Sequence, residues 1–462
     1  MFDVNKRRLI HWSIRGPAAT GGHDQTSRVG RGQRLSRAGH LESRDVVRVS
    51  PVKCRRTRSI GALTATVTAA GLLLASCGGD SSPPSRTKGS GKSTLTEMDY
   101  YSSDPGRSAL AKQLNGCGKR AGVAIKRQIV PDLRTKVLQL ANSRALPDLI
   151  LLDNPDLQQL AATGALTDLG AAGVKTDGLY PNIVAAGKYR GKQYGVAPGV
   201  NQLALYYNTS MLAKAGVKPP ATWDELRVAA KKLTQGDKVH GIGFAVPATE
   251  EGSFQFESFF FSAGASLKKL DSPEAVSALT LLKDLVSSGS APKDVLSWNQ
   301  MNVGEQFANG SLAMMINGPW ELPLLRKAGM KDFGIVPVPA PAGRTSSGAL
   351  GGEVWAAGSS GGKSREAAEV IKCLVSRGNS LEWAKLTNYV PSDPKVAAEA
   401  SAAAPEMKTF VETIGSAKSR TAEVGPAYPK YSQALWTAVQ AALSGSKSPS
   451  AALTDAQQQA TQ

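Results

Sequence analysis

From Leu95 onward the apolar positions switch repeatedly between two periods. "LTEMDYYSS" (95–103) reads as a strand. "SDPGRSALAKQLNGCGKRAG" then predicts a helix, with Ser103 or Asp104 at its cap and Pro105 in its first turn. "VAIKRQIV" is a second strand, "RTKVLQLANSRA" a helix, "PDLILLD" a third strand, and "PDLQQLAATGALTDL" a helix that ends before Gly170. The same rhythm returns at "GIGFAVPA", "ESFFFSAGA", "AVSALTLLKDLVSSG", "EQFANGSLAMMING" and "FGIVPVP". The tail from about Ala400 is Ala-rich and helical in pattern. Strands alternating with helical stretches of about 10–15 residues predict βαβ units and a sheet covered on both faces, an α/β fold.

Before Leu95 the pattern is different. Lys53, Arg55, Arg56 and Arg58 precede a 16-residue apolar or small run, Ile60–Ala75. That run is shorter than the ~20 residues of a membrane span, and it contains helix-weakening Thr and Gly. A basic stretch, an oily stretch and small residues ending at Leu74-Ala75-Ser76-Cys77 have the layout of a secretory signal. Its end resembles the lipobox of bacterial lipoproteins, in which the cysteine carries the lipid. Residues 52–76 are therefore expected to be a signal peptide and Cys77 the lipidation site. The following 77–94 is a Gly/Ser/Pro tether. Residues 1–51 are Arg-rich, weakly patterned and carry His11, His23 and His40. They are read as a start-site extension, with translation beginning near Val47, Val49 or Val52. A basic arm for an anionic surface is the other reading.

Removing the first 76 residues changes the charge. The chain is formally +18, but those residues hold 14 basic and 4 acidic side chains, leaving 41 and 33 in the remaining 386. The exported part is mildly basic, so nucleic acid is not an expected partner. Its length calls for two lobes of ordinary size. Cys117 and Cys373 both fall on predicted helices and are either one disulfide or two buried thiols. His240 is the one histidine after Cys77, which leaves no multi-His metal site. Gly91-Lys92-Ser93-Thr94 imitates the end of a phosphate loop, but position 86 is arginine and no strand leads in. Glu250-Glu251 is read as a solvated pair. No catalytic residue, cofactor or metal is expected.

"ALPDLILLDNPDLQQLAATGALTDL", "YRGKQYGVAPGVNQLALYYNTSMLAKAGVKPPATWDELRVAAKKL", "FANGSLAMMINGPW", "LGGEVWAAGSSGGKSREAAEVIKCLVS" and "YPKYSQALWTAVQAALSGSKSPSAALTDAQ" occur in this order. Together they resemble the extracellular solute-binding proteins of family 1, the maltose-binding-protein-like receptors of ABC importers. The resemblance runs from about Leu95 to Gln462. It implies a periplasmic-binding-protein-like type II fold, with two α/β lobes, a hinge of crossing strands and a ligand cleft. The first lobe would be 95–204 plus 345–397, and the second 205–344 plus 398–462. Cys117 and Cys373 would then share the first lobe, which favours a disulfide.

The implied function is capture of a carbohydrate by hinge closure and delivery to the ABC permease. The receptor would be a monomer held on the extracellular face of the cell membrane by lipid on Cys77. Glycerol phosphate or a related polar solute is the alternative cargo, with Arg107 as its cation. A secreted glycan-acting enzyme is a remote third reading. The implied ligand contacts are Asp104, Asp153, Asn154, Asn201, Phe256 (expected in a loop), Trp320, Gly352 with Gly351, Glu353 and Trp436. Trp355 is a weaker candidate and Trp223 looks structural. Leu152 stands where the maltose receptor stacks a tryptophan, which argues against maltodextrins but not against carbohydrate.

Overall fold

The computed structural model describes residues 93–462. The extension, the signal, Cys77 and the tether up to Lys92 lie outside the described residues. Two sheets organise the rest. The first has five strands in the order Ala124–Ile129, Thr94–Asp99, Leu149–Asp153, Glu353–Ala356, Gly195–Val196. The first three are parallel and the last two antiparallel to their neighbours. The second sheet is antiparallel, with Ala204–Asn208 between Phe333–Val336 and Met314–Asn317.

The central strands of the first sheet read as near-continuous apolar runs because both faces are covered. Leu149 and Leu151 join one cluster with Leu110, Leu114 and Ile371, whereas Ile150 and Leu152 join another with Val137 and Leu160. Several helices begin at side-chain caps. Thr222 and Glu225 form a reciprocal capping box, and Ser272 accepts from the Ala275 amide ahead of helix Pro273–Ser287.

Short strands join the lobes. Gly199–Val200 pairs with Val390–Pro391, Ala349–Leu350 pairs with Lys418–Ser419, and Asn201 and Gly351 exchange backbone hydrogen bonds. The chain passes from the first sheet to the second after Val196, returns after Val336, and after Pro391 crosses again to pack helices against the second. On the last pass Thr409 donates to the Ile335 carbonyl at 2.9 Å, and the closing helices Tyr428–Leu443 and Pro449–Thr461 pack on helices of the second lobe.

One expectation needs correction. "ESFFFSAGA" lies largely in a helix, Glu250–Ser262. Phe256 therefore sits on that helix, wholly buried, and not in a loop. Eleven of the helix's residues are buried, so no polar face marks its 3.6 period, and a continuous apolar run does not separate helix from strand. "GIGFAVPA" touches the second sheet through the isolated bridges His240↔Leu312 and Gly243↔Met315.

Cys117, on helix Gly106–Arg120, and Cys373, on helix Ser364–Leu374, are bonded, with Cα atoms 5.6 Å apart. Among the described residues no helix is long and apolar enough to cross a membrane.

Candidate ligand cleft

The first sheet brings two carboxylates together. Strand Leu149–Asp153 is apolar up to its last residue, and Glu353 stands directly opposite Asp153 on the antiparallel neighbour. Opposed side chains lie about 5 Å apart, and like charges there repel. Burial pushes the Glu353 carboxyl up to about 7; the Asp153 charge adds to this, and a hydrogen bond from the Tyr100 hydroxyl opposes it. The backbone just before it needs glycine. Gly352 has φ +98°, and a Cβ there would lie 2.8 Å from the Val200 Cα.

A buried arginine lies beside this pair. Arg420 donates to Asp153 (2.8 Å), to Glu250 at the start of helix Glu250–Ser262 (2.7 Å) and to the Leu350 carbonyl (3.1 Å). Its guanidinium lies over Phe254, 4.9 Å from the ring centroid. Glu250 also receives hydroxyls from Tyr428 (2.6 Å) and Ser432. Asp153 comes from the first lobe and Glu250 from the second, so one cation ties both lobes to the hinge strand. Glu257, about two helical turns along from Glu250 on the same face, is buried without a partner for either carboxylate oxygen. Burial, with Glu250 adding, pushes it well up.

Aromatic rings surround the carboxylates. Tyr100 and Tyr101 follow the first strand and stack at 5.2 Å. Tyr101 meets Trp383 edge-on at 5.4 Å, and Tyr389 meets Trp320 edge-on at 6.5 Å. Trp320 also lies 6.4 Å from Phe254 and is half-buried against the apolar clusters of both lobes. Two glycines seat these rings: a Cβ on Gly318 would stand 2.1 Å from the Trp320 ring, and one on Gly106 2.4 Å from the Tyr101 ring. The Tyr101 hydroxyl is buried and has no protein partner. The cleft thus offers ring faces beside a set of mostly accepting oxygens, which suits a ligand with apolar faces and many hydroxyl donors.

The structure brings together Asp153, Asn154, Asn201, Gly352, Glu353 and Trp320 from the residues expected by sequence. Asn154 is a tie to the hinge: its side-chain amide donates to the Gly352 (2.8 Å) and Leu350 (3.3 Å) carbonyls, leaving its oxygen without a partner. Asn201 is buried against Gly351, where a Cβ would stand 2.1 Å from its side-chain oxygen. Asp104 lies apart, half-exposed. It caps the helix start by accepting from the Ser108 hydroxyl (2.5 Å), Arg107 (2.9 Å) and the Ser108 amide (3.0 Å), and these bonds, the Ser108 hydroxyl's first, hold its carboxyl below the usual range. Phe256 is core and does not face the cleft. Trp436 is half-buried on helix Tyr428–Leu443 and makes none of the ring pairs around Glu353. Trp355 is buried in the first-lobe core, and Trp223 is tied by its indole N–H to the Pro339 carbonyl at 2.9 Å.

Sequence reading missed Tyr100, Tyr101, Tyr389 and Arg420. Consecutive tyrosines just past the first strand were the available signal for two of them, because ligands of α/β sheets sit beyond strand ends. Among the described residues no cluster of His, Cys, Asp and Glu is placed to hold a metal ion.

Two α/β lobes, crossing strands and an aromatic, acidic cleft between them define a type II ligand-binding receptor. The sequence model of the family described as "Bacterial extracellular solute-binding protein" matches residues 109–409. The chain belongs to that family. It is 30% identical over 158 residues to a putative binding protein of Brucella abortus, a match spanning 32% of this chain and 38% of the relative's length. It is 23% identical over 370 residues to a maltooligosaccharide ABC transporter solute-binding lipoprotein of Streptococcus pneumoniae, covering 76% of this chain and 84% of that one. Among solved structures, an ABC transporter solute-binding protein of Thermotoga lettingae bound with α-D-tagatose superposes with TM-score 0.72 at 24% identity, over 80% of this chain and 99% of that one. The maltose-bound MalE3 of T. maritima gives 0.71 at 24% identity, with the same coverage.

Proposed function

We propose that this protein is the lipid-anchored receptor of an ABC importer and that its cargo is a carbohydrate. The carrying observation is the ring of Tyr100, Tyr101, Tyr389 and Trp320 beside Glu353 and Asp153. Pyranose faces stack on rings, and hydroxyls donate to carboxylates. The named cargos of the relatives support the same class. An anionic cargo such as glycerol phosphate fits less well. Arg420 is already shared between two carboxylates, and Arg107 pairs with Asp104 instead of facing an anion. Contacts from both lobes favour the closed form, which then docks on the permease. Lipid on Cys77 keeps the receptor at the cell surface. The enzyme reading has no support from this arrangement.

The test is a thermal-shift screen of residues 78–462 against mono-, di- and oligosaccharides and glycerol phosphates. A ligand at about 100 times its Kd adds ~2.7 kcal/mol. A shift with one sugar class, lost in Trp320→Ala, is the expected result. A shift with phosphates alone would overturn the carbohydrate reading. Separately, Cys77→Ala should move the full-length protein from the membrane to the soluble fraction.

A further inference from the structure

The Tyr100–Tyr101 wall is held in place from beneath. Asp99 ends the first strand and is fully buried. Arg127, on the parallel neighbour, lies two positions back in the register, opposite Glu97. Its guanidinium clasps both Asp99 oxygens (2.6 and 2.8 Å) and reaches over the loop to the carbonyls of Tyr101 (3.3 Å) and Arg107 (2.7 Å). Asp99 also accepts from the Tyr101 amide at 2.7 Å. These bonds close residues 99–107 into a braced turn. The Tyr101 ring rests on the bare Cα of Gly106 and against the edge of Trp383.

A buried ion pair is a poor way to gain stability, because desolvation offsets much of the attraction. A planar arginine that meets two carboxylate oxygens and two carbonyls does fix geometry. Glu97 lies 3.9 Å from the same guanidinium and is pushed up to about 9 by burial, with Asp99 adding.

We infer that Arg127, acting through Asp99, together with Gly106, is a positioning device that sets the orientation of Tyr100 and Tyr101 and thereby the ligand selectivity of the cleft. It touches no ligand itself. The link to selectivity rests on reading the cleft as the ligand site.

The experiment labels the protein with 3-fluorotyrosine and follows the fluorine resonances, assigned by Tyr100→Phe and Tyr101→Phe. No ligand is needed for this part. Arg127→Met and Gly106→Ala are each expected to shift or broaden the Tyr100 and Tyr101 signals while Tyr206 and Tyr428 stay in place. Arg127→Lys, which keeps the charge but not the fork, should fall between. Unchanged Tyr100 and Tyr101 signals in both Arg127→Met and Gly106→Ala overturn the inference. Calorimetry then uses the first sugar that binds the wild type. Arg127→Met should bind it about tenfold more weakly at temperatures where the protein stays folded, because preorganisation is lost. Unaltered affinity for that sugar and an unaltered ranking of the other screened sugars, despite displaced tyrosines, would overturn the link to selectivity. If no sugar binds the wild type yet the resonances move, the carbohydrate reading fails and the positioning stands.

Discussion

Replacing Cys117 and Cys373 together by alanine should lower the stability of the receptor by an amount set by the loop they close. The two residues are 256 apart in sequence. That loop leaves the first lobe, passes through the whole second sheet and returns. In the chain-entropy account, closing a loop of that length removes about 19 cal/mol/K from the unfolded ensemble, or ~5.5 kcal/mol at 25 °C. Measured losses for native disulfides run from ~2 kcal/mol to about that figure. A folded part of about 370 residues has an unfolding entropy near 0.8 kcal/mol/K, so the melting temperature should fall by roughly 3–7 °C. Both sulfurs are buried, so the alanines leave only small voids. The assay is scanning calorimetry of the oxidised, reduced and double-alanine forms, with thiol titration to verify each state. Reduced and double-alanine proteins should melt together, below the oxidised one. Equal melting of the oxidised and reduced forms would refute the reasoning. So would two titratable thiols in protein purified from an oxidising compartment.

Trp320→Ala should weaken sugar binding by about 10- to 100-fold in titration calorimetry, with a small loss of stability in scanning calorimetry, since the ring is half-buried. Phe256→Ala should instead cost about 3–5 kcal/mol in chemical denaturation and leave affinity unchanged in the folded protein, as a core cavity does. Glu353 sits near 7 when folded, well above its ordinary value, so sugar hydroxyls that need its carboxylate should bind more tightly as pH rises through 7. The gain is at most about tenfold per unit, and Glu353→Gln should flatten that profile. Without ligand the sign reverses. Glu353, Asp156, Glu321 and Glu97 have folded values of about 7, 8, 8 and 9. Their contribution is complete below about pH 4.5, shrinks as pH rises above it and is gone once pH passes the folded values, so the melting temperature of the ligand-free protein should fall between about pH 4.5 and 9.

The period of the apolar residues was enough to reveal an α/β chain, because covered strands and one-sided helices leave local signatures. Leu149–Asp153 and helix Pro273–Ser287 were legible in this way. So was the start of helix Gly106–Arg120, where Asp104 accepts from the Ser108 amide a few residues on. Helix Glu250–Ser262 was not legible, since burial on nearly every face erases the period that would distinguish it. The site was visible only as separate pieces. Asp153 and Glu353 were candidates on their own merits, but their opposition across two strands depends on which strands pair. Arg420 meets Asp153 from 267 positions away, and no local pattern encodes that meeting. Tyr100 and Tyr101 look like strand residues until the end of the sheet turns them toward the cleft. Sequence determined faces, caps and segment order through contacts a few residues long. Tertiary packing decided which distant faces met, and with that which carboxylates, rings and cations share one cleft.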